Sequence, residues 1–483
     1  TPLHGMGLCE AVQAIRRGDI SSEELTRALL ARIERHENTV QAFQWIDPQR
    51  ALDLARRADR ELQSGEEPGV LHGIPLGIKD IIATQGIPTT MGSPIYAGHL
   101  PAQSAALVQR AEAAGAFVLG KTVTTEFAYF TPGKTRNPWN PAHTPGGSSS
   151  GSAAAVAMGF LPGAVGTQTN GSMIRPAAFC GVVGYKPTAG FIALAGVHPF
   201  SPSLDQPGVF TRSVSDAALL AAALMEREDP GAVSGEGIPD DIAPRVHPPR
   251  LAAVRSPVWH LADPQAQEHF LKMVAHLRSA GAPVEELELP PSFKDAHAVH
   301  RTVMVGEGAR VFADLQGRDR ARLSPRLNAL IDEGRGISDA GLSRGLEKQR
   351  EFAGELDAFL KDFDGVVTPS ALGEAPADLT QTGDPAFCTI WSLGGVPAVT
   401  IPAGRGATGL TSGGMVATAA TWAAAGVGGI GWSGVCAGGV AASRGAAAGS
   451  ASSSQACSTT AALDSCSCWL ALWRPSRQRR GPR

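Results

Sequence analysis

Between Gly73 and about Gly208 the chain runs as short apolar blocks broken by Gly, Pro, Ser and Thr, with few charges. So long a stretch with so little charge has few ways to fold in water. Strands buried on both faces read as near-continuous apolar runs rather than as alternating ones. Phe117-Val118-Leu119 and Gly181-Val182-Val183 have that character, and Ala105 to about Ala114 reads as an Ala-rich helix. Alternating helices and buried strands predict an α/β architecture around a largely buried sheet.

The flanks agree. Ser21 followed by Glu24 is a capping box, and Leu25, Leu29 and Ile33 recur behind it at helical spacing. A second helix is expected from about Pro48 to Leu62. After Val214 the pattern turns helical over Ala217 to Met225, then gives strand-like Leu251 to Val254 and Val284 to Leu289 with a helix between. Asp295 to Phe363 is charged and mostly helical, a cover for the sheet. Asp364 to Pro369 and Val396 to Pro402 read as strands that return to it.

Composition narrows the classes. With 483 residues, 43% hydrophobic and 18% charged, the chain is neither fully disordered, collagenous nor a multi-span membrane protein. From Thr411 onward six Arg face one acid (Asp464), a net of +5, so the overall −3 leaves −8 on the first 410 residues. An acidic body argues against nucleic acid as a partner. Cys9, Cys180 and Cys388 have no zinc-like or disulfide-framework spacing and read as reduced thiols. No charged-then-apolar leader opens the given sequence, which points to the cytoplasm. The last 73 residues differ in kind: 40 of them are Ala, Gly or Ser, and hydrophobic periodicity is lost. A disordered tail, or a shifted reading frame in GC-rich DNA, would give that bias; resequencing separates the two.

Three motifs compete for the chemistry. Gly115-Ala-Phe-Val-Leu-Gly120-Lys121-Thr122 fits the phosphate-loop pattern, but its middle is a buried-strand run that cannot wrap a phosphate. Gly147-Ser148-Ser149-Ser150-Gly151 fits a nucleophile elbow on Ser149, yet no His follows His300 to complete a Ser-His-Asp set. The third is a constellation. Gly77-Ile78-Lys79-Asp80-Ile81-Ile82 places one Lys in an apolar run, and burial would make that Lys neutral and therefore a base. Gly146 to Gly151 and the loop Gly166-Thr-Gln-Thr-Asn-Gly-Ser172 supply hydroxyls that such a base could activate for acyl transfer.

These pieces, read with Gly73-Ile-Pro-Leu-Gly-Ile-Lys79-Asp80, Thr144-Pro-Gly-Gly-Ser-Ser-Ser-Gly-Ser-Ala-Ala-Ala, Pro176-Ala-Ala-Phe-Cys-Gly-Val-Val-Gly, Lys186-Pro187-Thr188 and Leu204-Asp205-Gln206, resemble the amidase signature family. The motif core runs from 71 to 216, and Gly-Thr-Gln-Thr with Ile-Arg-Pro is closest to its malonamidase-like branch. The resemblance implies an α/β/α sandwich around a large mixed sheet. It also implies a catalytic domain over 66–410 with its cover at about 295–363; periodicity and composition set apart a helical segment over 1–65 before it and an atypical tail over 411–483. The implied activity is hydrolysis of carboxylic acid amides without metal or cofactor. The partner is then a small-molecule amide, with no nucleic acid and no membrane, and a homodimer is left open. The alternatives are carbamate, ester or aryl-acylamide cleavage and the role of an amidotransferase subunit. A non-catalytic relic is a third class.

Carried over by position, Lys79 resembles the base, Ser148 the bridging serine behind a cis peptide, and Ser172 the nucleophile. The backbone N–H groups of Thr169, Asn170, Gly171 and Ser172 would form the oxyanion hole; Thr124 to Phe130 and the loop at Ile192 to Phe200 would supply the pocket's other wall, with Thr124 contacting substrate. Glu126, Asp80 and Asp205 read as structural acids. Two departures stand out. Asn170 replaces the usual Gly and would need the left-handed region if the loop demands φ > 0. Gln168 replaces a common Asp, so Arg175 lacks that local partner. Arg175 then either faces the pocket and attracts a carboxylate or polar carbonyl, or braces the loop through backbone carbonyls. The resemblance also expects a strand and a helix just past Leu410, where this sequence changes character.

Overall fold

The computed structural model describes residues 2–65, 67–225, 248–406, 408–411 and, as backbone, 415–418. Most of the expected tail and its four Cys lie outside the described residues. Helices α1 (Leu8–Arg16), α2 (Ser22–Val40) and α3 (Pro48–Gln63), with strand β1 (Phe43–Ile46), precede the motif-bearing part. That part holds β2 (Pro75–Lys79), α4 (Ala106–Ala113), β3 (Phe117–Thr122), α5 (Ser150–Ala157), β4 (Gly163–Gln168), α6 (Ile174–Cys180), β5 (Val183–Lys186), β6 (Gln206–Thr211) and α7 (Val214–Leu224). Beyond it come β7 (Leu251–Arg255), α8 (Pro264–Ser279), β8 (Val284–Glu288), α9 (Ala296–Asp319), α10 (Pro325–Arg335) and α11 (Asp339–Leu360). The described chain closes with β9 (Gly365–Pro369), α12 (Ala386–Leu393), β10 (Ala398–Ile401) and β11 (Met415–Thr418).

Among the described residues eleven strands join one mixed sheet, in the order β1-β3-β2-β4-β6-β5-β10-β11-β9-β7-β8. Strand β2 is parallel to both β3 and β4, and β7 is parallel to both β8 and β9. The neighbours between those two parallel groups run antiparallel. Strands β2, β3, β4, β6, β9 and β10 are buried throughout and so on both faces, as the unbroken apolar runs require. Val118, Val165 and Val209 join the larger core with Val12, Leu107 and Leu220 of α1, α4 and α7. Their strand neighbours Phe117, Leu119, Ala164 and Phe210 join a second core with Ala55 and Ala154 of α3 and α5. Adjacent residues thus serve opposite layers, which is the sandwich expected from the sequence.

Two local differences have simple causes. The run expected as a strand from Gly181 starts at Val183, because Gly181 closes α6 with φ 69° in the left-handed region. Past Leu410, where composition alone gives no periodic signal, β11 pairs with β10 on one side and β9 on the other. The sheet therefore takes in backbone beyond that position.

The capping box forms as expected. Ser21 Oγ accepts from Glu24 N at 3.0 Å, and Glu24 Oε2 accepts from Ser21 N at 2.8 Å. Asp59 of α3 accepts from the N–H groups of Ser22 and Glu23, so α2 is tied to its neighbour at the same point. Replacing Ser21 by Ala removes the cap acceptor and should lower unfolding free energy by about 1 kcal/mol, read from denaturant midpoints at unchanged m.

Candidate active site

Lys79 ends β2, a central strand with parallel neighbours on both sides, so its side chain emerges at the carboxyl edge of the sheet. It is fully buried. Its Nζ donates to Ser148 Oγ at 2.6 Å and to Thr167 Oγ1, at the end of β4, at 2.8 Å. No carboxylate lies within salt-bridge distance of it among the described residues. Burial holds its pKa well below the usual lysine value, partly opposed by the charge of Asp205.

Ser148 stands just ahead of α5, behind a cis Gly147–Ser148 peptide. Helix α5 can approach the end of β3 because its first turn is built from small residues. A side chain at Gly151 would strike the Ala42 carbonyl and the Val123 amide. Ser149, centre of the elbow pattern, is also fully buried, and its Oγ donates to the Thr167 carbonyl at 3.1 Å. Lys121 of the phosphate-loop pattern is buried in β3 and donates to Ile82 O at 2.5 Å, Thr89 Oγ1 at 2.8 Å and Thr84 Oγ1 at 3.2 Å. Both motifs are thereby absorbed into the core.

The loop after β4 shows one-sided hydrogen bonding. Its carbonyls all face partners: Thr169 O meets His300 Nε2 at 3.1 Å, and Asn170 O accepts from Ser392 Oγ at 2.5 Å. Gly171 O accepts from Arg175 N at 3.0 Å, and Ser172 O accepts from Ser149 N at 3.3 Å. Among the described residues the N–H groups of Asn170, Gly171 and Ser172 find no protein acceptor. Such a row of unpaired donors is what a developing oxyanion requires. Asn170 is absent from the residues with positive φ, so it sits in the loop without left-handed backbone.

Gln168 takes up the bonding at the loop's base. Its Oε1 accepts from Met173 N at 2.8 Å and Ile174 N at 3.0 Å, and its Nε2 donates to Ser392 Oγ at 3.0 Å. Asp205 ties the other side: Thr169 Oγ1 donates to Oδ1 at 2.5 Å, while Phe200 N and Ser201 N donate to Oδ2. Burial pushes the Asp205 carboxyl up to about 6. Glu126 accepts from Ser324 N at the start of α10, and Asp80 from Thr90, so these acids act as connectors.

Ser148, Ser172 and the loop residues line one cavity. Ala128, Tyr129, Phe130, Phe200 and Met304 form its apolar wall, and Thr382 and Arg175 its polar end. The ring of Tyr129 stacks on Phe200 at 5.3 Å. Tyr129, Phe130 and Phe200 lie within the two segments the sequence assigns to the wall. Met304 and Thr382 come from α9 and the approach to α12, and no local motif announces them. Thr124 is not on the wall; its carbonyl lies against Gly92 and Gly133.

Arg175 is buried, and its Nη2 donates to Gly147 O at 2.8 Å and to Thr382 Oγ1 at 3.1 Å. Its Nε and Nη1 have no hydrogen-bond partner among the described residues. Burial lowers its pKa to about 10, so it stays charged at neutral pH. Arg175 thus holds the Gly147 carbonyl and the Thr382 hydroxyl with one nitrogen, while its other two nitrogens are buried without a protein partner among the described residues.

The family profile described as Amidase matches residues 24–423. The chain belongs to the amidase signature family. It is 34% identical over 458 residues to the A-type subunit of the glutamyl-tRNA(Gln) amidotransferase of Synechococcus sp. strain WH7803, covering 84% of this chain and 92% of that one. It is 42% identical over 292 residues to the protein of the same name from Acidothermus cellulolyticus, covering 58% of each. The chain spans 46% to 58% of the length of the first curated relatives it matches. Among solved structures, the native peptide amidase of Stenotrophomonas maltophilia superposes with a TM-score of 0.74 at 31% identity, covering 87% of this chain and 94% of the other. Among the described residues no helix is long and apolar enough to cross a membrane.

Proposed function

We propose that the chain hydrolyses small carboxamides to a carboxylate and ammonia or an amine, through Lys79, Ser148 and Ser172. The contact of Lys79 Nζ with Ser148 Oγ at 2.6 Å, on a cavity shared with Ser172, carries this reading. Neutral Lys79 takes the Ser148 proton while Ser148 takes that of Ser172, and the freed Ser172 oxygen attacks the amide carbonyl. The N–H groups of Thr169, Asn170, Gly171 and Ser172 are proposed to hold the resulting oxyanion; the unpaired donors at the last three support this. As the C–N bond breaks, the same relay returns the proton to the leaving nitrogen, leaving an ester on Ser172. Water, deprotonated along the relay, then releases the carboxylate and restores the serine.

On this reading residues 66–410 form the catalytic domain, and a reducing, cytoplasmic compartment fits the free, buried Cys180 and Cys388. We assign Arg175 the binding of an anionic or strongly polar group on the substrate. A buried cation with unpaired donors and no carboxylate partner among the described residues supports that role. Thr124 as a substrate contact has less support, since it is off the cavity wall.

The reading is tested by hydrolysis of an aryl acylamide, an aliphatic amide, a half-amide of a dicarboxylic acid and a carbamate, with and without EDTA. Turnover of carboxamides that EDTA leaves unchanged is expected; a folded protein inert on all four overturns it. Arg175→Gln should lower kcat/KM for the half-amide about 10- to 100-fold more than for the neutral aliphatic amide, the worth of one charge-assisted hydrogen bond. Equal losses on both would remove the assignment. The relatives named as parts of an amidotransferase favour a second reading, in which the chain releases ammonia from glutamine for a partner. Glutamine hydrolysis that appears only with added partner chains would select it.

A further inference from the structure

One residue of the cavity lining, Asn170, carries a side-chain donor that the mechanism does not use. Asn170 lines the cavity, half-buried, and its carboxamide oxygen accepts from Thr389 Oγ1 at 2.8 Å. Thr389 is buried on α12, and its hydroxyl also lies 3.3 Å from Pro385 O, the longer of its two contacts. With Oδ1 fixed by Thr389, the Asn170 Nδ2 has no protein acceptor among the described residues. Backbone geometry does not account for an Asn here, because Asn170 is outside the left-handed region.

The surroundings of that donor make it selective. The side chains of Ala128, Phe130, Phe200 and Met304 in the same lining carry no oxygen or nitrogen acceptor, and that of Tyr129 only its phenol oxygen. A substrate acyl group that carries an acceptor would bond to Nδ2 in place of water, whereas a hydrocarbon group of the same shape would displace water from the half-buried amide and offer no acceptor in return. A site built to hydrogen-bond a substrate rejects the isostere that lacks the partner more strongly than an apolar pocket rejects a changed methylene.

We infer that Asn170, oriented by Thr389, selects carboxamides whose acyl group carries a neutral hydrogen-bond acceptor close to the scissile carbonyl, over hydrocarbon acyl groups of equal size. The inference rests on the reading in which Ser172 attacks within this cavity. Asn170 is the specificity-determining residue and Thr389 a positioning residue that acts through it.

Methoxyacetamide and butyramide test this, since they differ by an ether oxygen in place of a methylene. The readout is the ratio of their kcat/KM values, in which a general disturbance of the loop or of the nucleophile cancels. Relative to wild type, Asn170→Gly should reduce the ratio about five- to tenfold, the worth of one neutral hydrogen bond. Thr389→Val keeps the loop sequence and nearly the same shape, and should reduce it in the same direction. The double variant should fall no further than Asn170→Gly, because both act on one contact. A ratio unchanged in either single variant overturns the inference. Ser172→Ala, run beside them, must abolish hydrolysis of both amides. Undiminished hydrolysis in that variant would instead overturn the proposed mechanism, and with it the inference.

Discussion

Replacing Lys79 by Met lowers kcat/KM for every amide substrate by about 10⁴-fold, the upper range for loss of a positioned general base. Met fills nearly the same volume but cannot accept a proton, and among the described residues no other basic side chain is hydrogen-bonded to Ser148 Oγ; Thr167, the other partner of Lys79, offers only a hydroxyl. The wild-type pH profile follows from the same burial. Lys79 works as a base only when neutral, so kcat/KM rises with pH through its lowered pKa and falls on the acid side. The residual activity of Lys79→Met lacks that limb.

Stability moves the other way. A lysine whose folded pKa is depressed binds fewer protons folded than unfolded, so folding opposes its charging between the two pKa values. Replacement by Met removes that penalty, and the gain grows as pH falls from the unfolded lysine pKa to the folded one, then stays constant below it. A variant that keeps its fold and loses its rate separates the catalytic role from a structural one. Comparable activity of Lys79→Met and wild type at neutral pH would contradict the assignment.

Much of the architecture was legible because the governing signals are local. The capping box at Ser21 and Glu24, the unbroken apolar run at Phe117 and the return strand at Gly365 each depend on a few neighbouring residues. Lys79 was legible for a chemical reason: a lone ammonium inside Gly-Ile-Lys-Asp-Ile-Ile has to be neutralised or paired. The supports of the loop after β4 were not. His300, Ser392 and Thr389 reach Thr169 and Asn170 from helices 131 to 222 residues away in the chain, and none carries a motif. The same holds for Met304 on the cavity wall. The Asn170 question needed the backbone itself, since sequence cannot tell whether a loop position demands φ > 0. Four residues of β11 in a background of Ala, Gly and Ser lack the length to announce a strand, and only pairing on both edges defines them.

In the proposed mechanism Ser172, rather than Ser148 or Ser149, carries the acyl group. Ser149 is held by the Thr167 carbonyl and fully buried, and Ser148 is engaged with Lys79, whereas Ser172 follows the unpaired donors of the loop. Removing the nucleophile leaves only binding and oxyanion contributions, so Ser172→Ala should lose at least about 10⁴-fold in kcat. The most direct test is covalent capture with a fluorophosphonate, located by fragmentation mass spectrometry. One adduct is expected, on Ser172, formed more slowly in Lys79→Met and absent from Ser172→Ala. An adduct on Ser148 or Ser149, in a Ser172→Ala protein that still hydrolyses amides at the wild-type rate, would contradict the mechanism.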